Sequence, residues 1–318
     1  MRLMHKHGLL AFCLCTLLGI MPAMAGEEVA YLMTAAARGD LATVQALLDS
    51  GANVNSKDAE GVTALMYAAR KDQIEVLNAL LAKGADIQAK DGQGWTALMF
   101  AAKRNHVASV KRLLEKGADA KVRDASGWSA LGIAAIEGHA QTVALLLEHG
   151  LDANSRSDRG TTVLMYAAKS ADLPTIKHLL DHQANLALSD EQGVTALMTA
   201  AREGHAAVVS LLIERGATVN QKDLAKWTAL TWAVKKSKVA AAKALIEAGA
   251  DVNNLDAEGT PILHIAVSNG QLETVKLLLA HQVKLKAKDQ YGLTALVYAL
   301  KGQHTDIANL LKAAGGSY

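Results

Sequence analysis

Histidines are the side chains of this sequence best suited by type to bind a metal or to move a proton near neutral pH, and nine of the 11 lie beyond residue 25. Their spacing gives most of them another task. His106, His139, His205 and His304 share one register, the residue after a glycine position between two paired helices. His149, His182 and His281 share a second, in which Lys83, Lys116 and Arg215 stand in other copies. A residue that alternates with lysine and arginine at the end of a helix complements the negative end of the helix dipole. His178 and His264 stand alone and carry no motif. No glycine-rich phosphate loop, paired metal-ligand spacing or serine-centred nucleophile elbow accompanies them. The expectation is a chain with no catalytic residue, no metal site and no cofactor.

Methionines and aromatics offer other chemistry. Met33, Met66, Met99, Met165 and Met198 each follow a leucine of one 33-residue register. Thioethers can sense oxidants, but filling gaps between helices is the simpler expectation. Tyr67, Phe100, Tyr166, Trp232 and Tyr298 stand two residues after the register leucine, and Trp95, Trp128 and Trp227 stand three before it. Eight of the 11 aromatics beyond residue 25 thus occupy two of 33 columns. Contact with a partner explains both columns, since Trp and Tyr give large area with little entropy to lose. Padding of the seam between helices explains the first column equally well; for the tryptophans binding is favoured, because exposed indole otherwise invites aggregation. A basic column, Arg70, Lys103, Lys169, Arg202, Lys235 and Lys301, lies three residues past the first aromatic column on the same helix face. It would steer an acidic partner or stand simply solvated.

The elements that hold these columns follow from the register itself. Leu32, Leu65, Leu98, Leu131, Leu164, Leu197, Leu230, Leu263 and Leu296 recur every 33 residues without insertion, and the residue three further on is alanine in every copy. Small residues there let neighbouring helices stack closely, while the leucines fill the space between. The second copy shows the pattern: Asp58 to Gly61 makes a turn, Thr63 caps a short helix, and Ile74, Leu77, Leu80 and Leu81 mark the buried face of a second helix closed at Lys83-Gly84. In the fifth copy Asp172 and Pro174 mark the start of the second helix.

Composition agrees with a helix-rich array: 51% of residues are apolar, only 4% aromatic, and three are proline. Residues 1–25 read as a secretory signal peptide with Arg2 and Lys6, an apolar run from Leu9 to Met21 and the small-residue site Ala23-Met24-Ala25, and residues 26–318 as the repeat domain. The apolar run is shorter than the roughly 20 residues a spanning helix needs, so no membrane insertion is expected after cleavage. Cys13 and Cys15 follow the bulky Phe12 and Leu14, unlike a lipid-attachment site, and leave with the leader. The remainder carries 31 basic and 31 acidic residues, a balance that argues against nucleic acid as partner.

Turn Asp and Gly, Thr-x-Leu, Ala-Ala, Gly204-His205, Leu211-Leu212 and Gly249-Ala250-Asp251-Val252-Asn253 together resemble the ankyrin repeat over essentially the whole chain after the leader. Lys226 departs at a turn glycine, Gln183 and Gln282 at helix-ending glycines, and Thr260-Pro261 sits one residue early. The resemblance implies an all-α solenoid of nine helix-turn-helix repeats with hairpin-like fingers, polar at its ends. Lys312 stands at one end in a column filled elsewhere by leucine or isoleucine, and the first copy lacks Thr-x-Leu at the other. It also implies that both aromatic columns face one concave side, where the family grips proteins. The expected function is reversible binding of an envelope protein by a monomer in the periplasm or outside the cell, as inhibitor, immunity factor or stabiliser. A small-ligand carrier or enzyme and a structural spacer are the alternatives.

Overall fold

The computed structural model describes residues 22–317, with side chains from residue 27. The expected leader therefore lies outside the described residues except for its last positions. These begin the first helix, α1 (Pro22–Arg38), which runs without a break through the expected cleavage junction. Eighteen helices form among the described residues, and none is long and apolar enough to cross a membrane.

The chain divides into two compact units, one ending at Ala125 and the other beginning at Ser126. The first unit holds α1, α2 (Leu41–Asp49), α3 (Ala64–Arg70), α4 (Ile74–Ala82), α5 (Ala97–Lys103) and α6 (Val107–Glu115). The second holds α7 (Ala130–Ile136), α8 (Ala140–Glu148), α9 (Val163–Ser170), α10 (Leu173–Asp181), α11 (Ala196–Glu203), α12 (Ala206–Glu214), α13 (Ala229–Lys235), α14 (Val239–Glu247), α15 (Ile262–Ser268), α16 (Leu272–Ala280), α17 (Ala295–Lys301) and α18 (Thr305–Ala313).

Threonine caps open most of the short helices, though Ser129, Pro261 and Thr294 give no side-chain cap. Thr63, Thr96, Thr162 and Thr195 accept a hydrogen bond from the backbone N–H of the methionine three residues later. Met66, Met165 and Met198 return the contact, their sulfurs accepting the threonine N–H at 3.3–3.5 Å. These methionines are at most 2% exposed, so they serve as core and cap rather than as oxidant sensors. Asp172 caps α10 through Thr175 N, with Pro174 in the first turn.

In the first unit α3 packs between α1 and α5, and the paired alanines at 68, 69, 101 and 102 are fully buried. In the second, α9, α11, α13, α15 and α17 succeed one another in the same way. A side chain larger than methyl would hold these helices apart, which accounts for the alanine column.

Second helices end in a left-handed residue, glycine at 84 (φ 83°). Ala85 N then bonds back to the carbonyl of Leu80. Gln183 (φ 63°), Lys226 (φ 58°) and Gln282 (φ 58°) adopt the same left-handed backbone where the sequence lacks glycine. The fold is kept at those departures and the backbone carries the strain.

Amide side chains tie successive copies together. Asn55 bonds Gly84 O and Asp86 N, and Gln88 bonds Gly117 O and Asp119 N. Asn154 and Asn220 repeat this in the second unit. The fingers close through isolated antiparallel bridges such as Lys57 with Thr63 and Lys288 with Thr294. At the C-terminal end Lys312 is exposed, the charged outer face expected there.

Candidate protein-binding face

In each unit the turn aspartates organise the surface that carries the rings. Asp58 Oδ1 accepts the N–H groups of Glu60 (3.0 Å) and Val62 (2.8 Å), closing the finger turn. Asp91, Asp190, Asp223, Asp256 and Asp289 do the same two and four residues on. The second oxygen is then free to meet the ring nine residues later in the short helix. The Tyr67 hydroxyl donates to Asp58 Oδ2 (2.9 Å), Trp232 Nε1–H to Asp223 Oδ2 (2.8 Å), and the Tyr298 hydroxyl to Asp289 Oδ2 (2.5 Å).

These bonds leave an electrostatic signature at the two tyrosines. Burial and then the bond to Asp58 raise the Tyr67 hydroxyl above its ordinary pKa. The bond to Asp289, followed by burial, pushes Tyr298 up to about 12. Burial by itself would raise Asp289, but the hydrogen bonds from Tyr298, Leu293 and Tyr291 outweigh it and hold the carboxyl below its ordinary value.

Tryptophans add a second ring in each patch. In the first unit Trp95 tilts onto Phe100 with centroids 5.3 Å apart. Arg70 lies over Tyr67 at 4.8 Å and over Phe100 at 6.0 Å, and Lys103 over Trp95 at 5.1 Å. These five side chains make one continuous, half-buried patch of alternating rings and cations. In the second unit Trp227 meets Trp232 edge to face at 4.7 Å, and Arg202 lies over Trp232 at 5.4 Å. Trp227 also lines an open cleft of 410 Å³ with Lys235, Asp256, His264 and Tyr298. Lys169, Lys235 and Lys301 are exposed.

Trp128 is placed otherwise. Its indole is only 7% exposed, lies edge to face on Tyr166 at 5.0 Å, and covers Gly132 so closely that an added Cβ would stand 2.1 Å from its Cε3. Gly132 occupies the methionine column, and its missing side chain is the notch the indole fills. The expectation of an exposed ring at 128 is corrected: this tryptophan is core.

Four histidines close helices. His106 Nε2 and His205 Nε2 donate to the carbonyls of Arg70 (3.1 Å) and Lys169 (2.9 Å), residues at the ends of α3 and α9. His149 Nδ1 and His182 Nδ1 reach the carbonyls four residues back, at 2.8 and 2.9 Å. His264, which the sequence leaves without a motif, is 1% exposed, donates from Nε2 to Leu293 O (2.9 Å) and meets Tyr298 edge to face at 5.5 Å. Burial lowers its pKa, so the ring stays neutral. Among the described residues no cluster of His, Cys, Asp and Glu has the make-up of a metal site.

The family described as ankyrin repeats in three copies matches residues 13–91, 32–124, 89–157, 164–256 and 230–317. The chain belongs to the ankyrin-repeat family. Ankyrin repeats are protein-interaction modules and in general non-enzymatic scaffolds, which fits a face built of rings and cations. A comparison with curated proteins finds no match.

Proposed function

We propose that this ankyrin-repeat protein is exported to the cell envelope or beyond, where it reversibly binds the acidic surface or loop of a partner protein and inhibits, protects or stabilises it. The observation that carries the reading is the stacking of Arg70, Lys103 and Arg202 on half-buried rings that remain partly open to solvent. Rings held by their own neighbours lose little further entropy on binding, and cations fixed over them are preset to meet carboxylates. Trp95 and Trp227, with Tyr67, Phe100 and Trp232 beside them, are the anchors. The stacked Arg70, Lys103 and Arg202 form the cationic wall, and the exposed Lys169, Lys235 and Lys301 steer the encounter.

A structural-spacer role is the second reading, and the inward hydrogen bonds of Tyr67, Trp232 and Tyr298 favour it, since those rings hold turns without any partner. The two readings separate in a variant with Trp95 and Trp227 replaced by alanine. A binding role predicts retained helical content and weaker partner capture, each anchor costing about 2 kcal/mol of binding; unchanged capture would leave the spacer. Export is tested by N-terminal sequencing of protein recovered outside the cytoplasm, which is expected to begin at Gly26; an intact leader there would contradict cleavage.

A further inference from the structure

The pairing of turn aspartates with rings fails at two places in the second unit, Asp190, which has Thr199 nine residues on, and Asp256, and the second failure leaves a defined space. Asp58, Asp223 and Asp289 each receive a donor at Oδ2 from the ring nine residues later. Nine residues after Asp256 stands Ile265, and no donor among the described residues reaches Asp256 Oδ2; its Oδ1 is occupied by Glu258 N and Thr260 N. A ring for the cation to lie over is missing at the same point. Arg70 and Arg202 lie over rings 30 residues on, Phe100 and Trp232, whereas Lys235 has Ile265 at that spacing. The 410 Å³ cleft opens here, with Trp227, Lys235, Asp256, His264, Ile265 and Tyr298 in its wall. His264 adds a second acceptor without a donor: Nε2–H is committed to Leu293 O, so the neutral ring leaves Nδ1 as a lone pair, and Nδ1 has no partner.

We propose that this cleft seats a tyrosine side chain of the partner, its ring standing where the aromatic column lacks one and its hydroxyl donating to Asp256 Oδ2. The inference rests on the reading of this face as protein-binding and names the side chain it accepts. The chain supplies its own precedent in the Tyr67–Asp58 and Tyr298–Asp289 bonds. Other side chains fit the wall less well. A guanidinium would meet Lys235, a carboxylate would meet Asp256 and Glu258, and an aliphatic group would leave Asp256 Oδ2 without a donor. A phenol satisfies an acceptor, presents its face to Lys235 and its edges to Trp227 and Tyr298.

The test titrates N-acetyl-tyrosinamide into the full-length protein while the Ile265 methyl and Trp227 indole resonances are followed, with N-acetyl-phenylalaninamide and N-acetyl-argininamide as comparisons. A saturable shift is expected with the tyrosine probe, at least fivefold tighter than with phenylalanine. Asp256→Asn keeps an oxygen for the turn but offers the cleft no carboxylate, and should erase that preference. Ile265→Tyr builds the missing ring into the chain, and should raise Tm and abolish the Trp227 response to the probe. Equal affinity for the tyrosine and phenylalanine probes, preference for arginine, or no saturable shift at tens of millimolar would overturn the phenol seat. If the probe fails while the Trp95 and Trp227 variant still loses partner capture, the seat is wrong and the binding face stands. If the probe binds but capture is unchanged, it is the protein-binding reading that fails.

Discussion

Pro261 removes the backbone N–H that Thr63, Thr162 and Thr195 donate to the methionine three residues on, and His264, standing in that methionine column, is left with an unpartnered Nδ1. Its lowered pKa links protonation to stability. As pH falls below about 6.5 the unfolded chain takes up the proton first, so stability present above that pH is lost on the way down to the native pKa. Chemical denaturation between pH 7 and 5 should show this loss. His264→Met should flatten it, and Pro261→Thr, which restores the donor and further favours the neutral ring, should steepen it. An unchanged slope in His264→Met would remove His264 from the account. The left-handed Gln183, Lys226 and Gln282 give a second residue-scale prediction. Glycine at each should stabilise the fold by about 1 kcal/mol, read as a higher midpoint in denaturant; a lower midpoint would mean that the side chain contributes more than the strain costs.

Turns and short helices act as one element because a single carboxylate holds both. Asp223, 8% exposed, binds two backbone N–H groups and the Trp232 indole. Asp223→Ala should therefore cost about 3 kcal/mol, and Asp256→Ala distinctly less, since no ring donates to Asp256; equal costs would show that the ring bond contributes nothing. Trp128→Ala should cost about 3–5 kcal/mol as a core truncation, whereas Trp95→Ala, half-buried, should cost much less. The sequence made the helices legible, because the leucine register, the alanine column and the threonine caps are each local and repeated. Ring placement was less legible. Trp95, Trp128 and Trp227 share one column, and Gly132, four residues on, leaves the notch that the buried Trp128 indole fills. The nine-residue offset from turn aspartate to ring was visible in the sequence, but its meaning depends on which carboxylate oxygen the turn has already taken.

For the molecule as a whole, the repeat register set the family and the kind of task, while the partner's chemistry is written only where copies differ. The alanines, leucines and amide ladders are common to the copies and hold the fold. Ile265 departs from the ring column and His264 from the methionine column, and both stand at the same cleft. The balanced charge of residues 26–318 makes long-range attraction weak, so recognition should depend on the local patches and respond to salt mainly through Arg70, Lys103 and Arg202. The most direct test of a binding face is crosslinked capture from the compartment in which the protein is found, followed by titration of the recovered partner against wild type, Trp95→Ala with Trp227→Ala, and a variant destabilised elsewhere to the same Tm. The account predicts that the double tryptophan variant loses affinity by at least tenfold while the stability-matched control keeps it. Equal affinity in all three would contradict it.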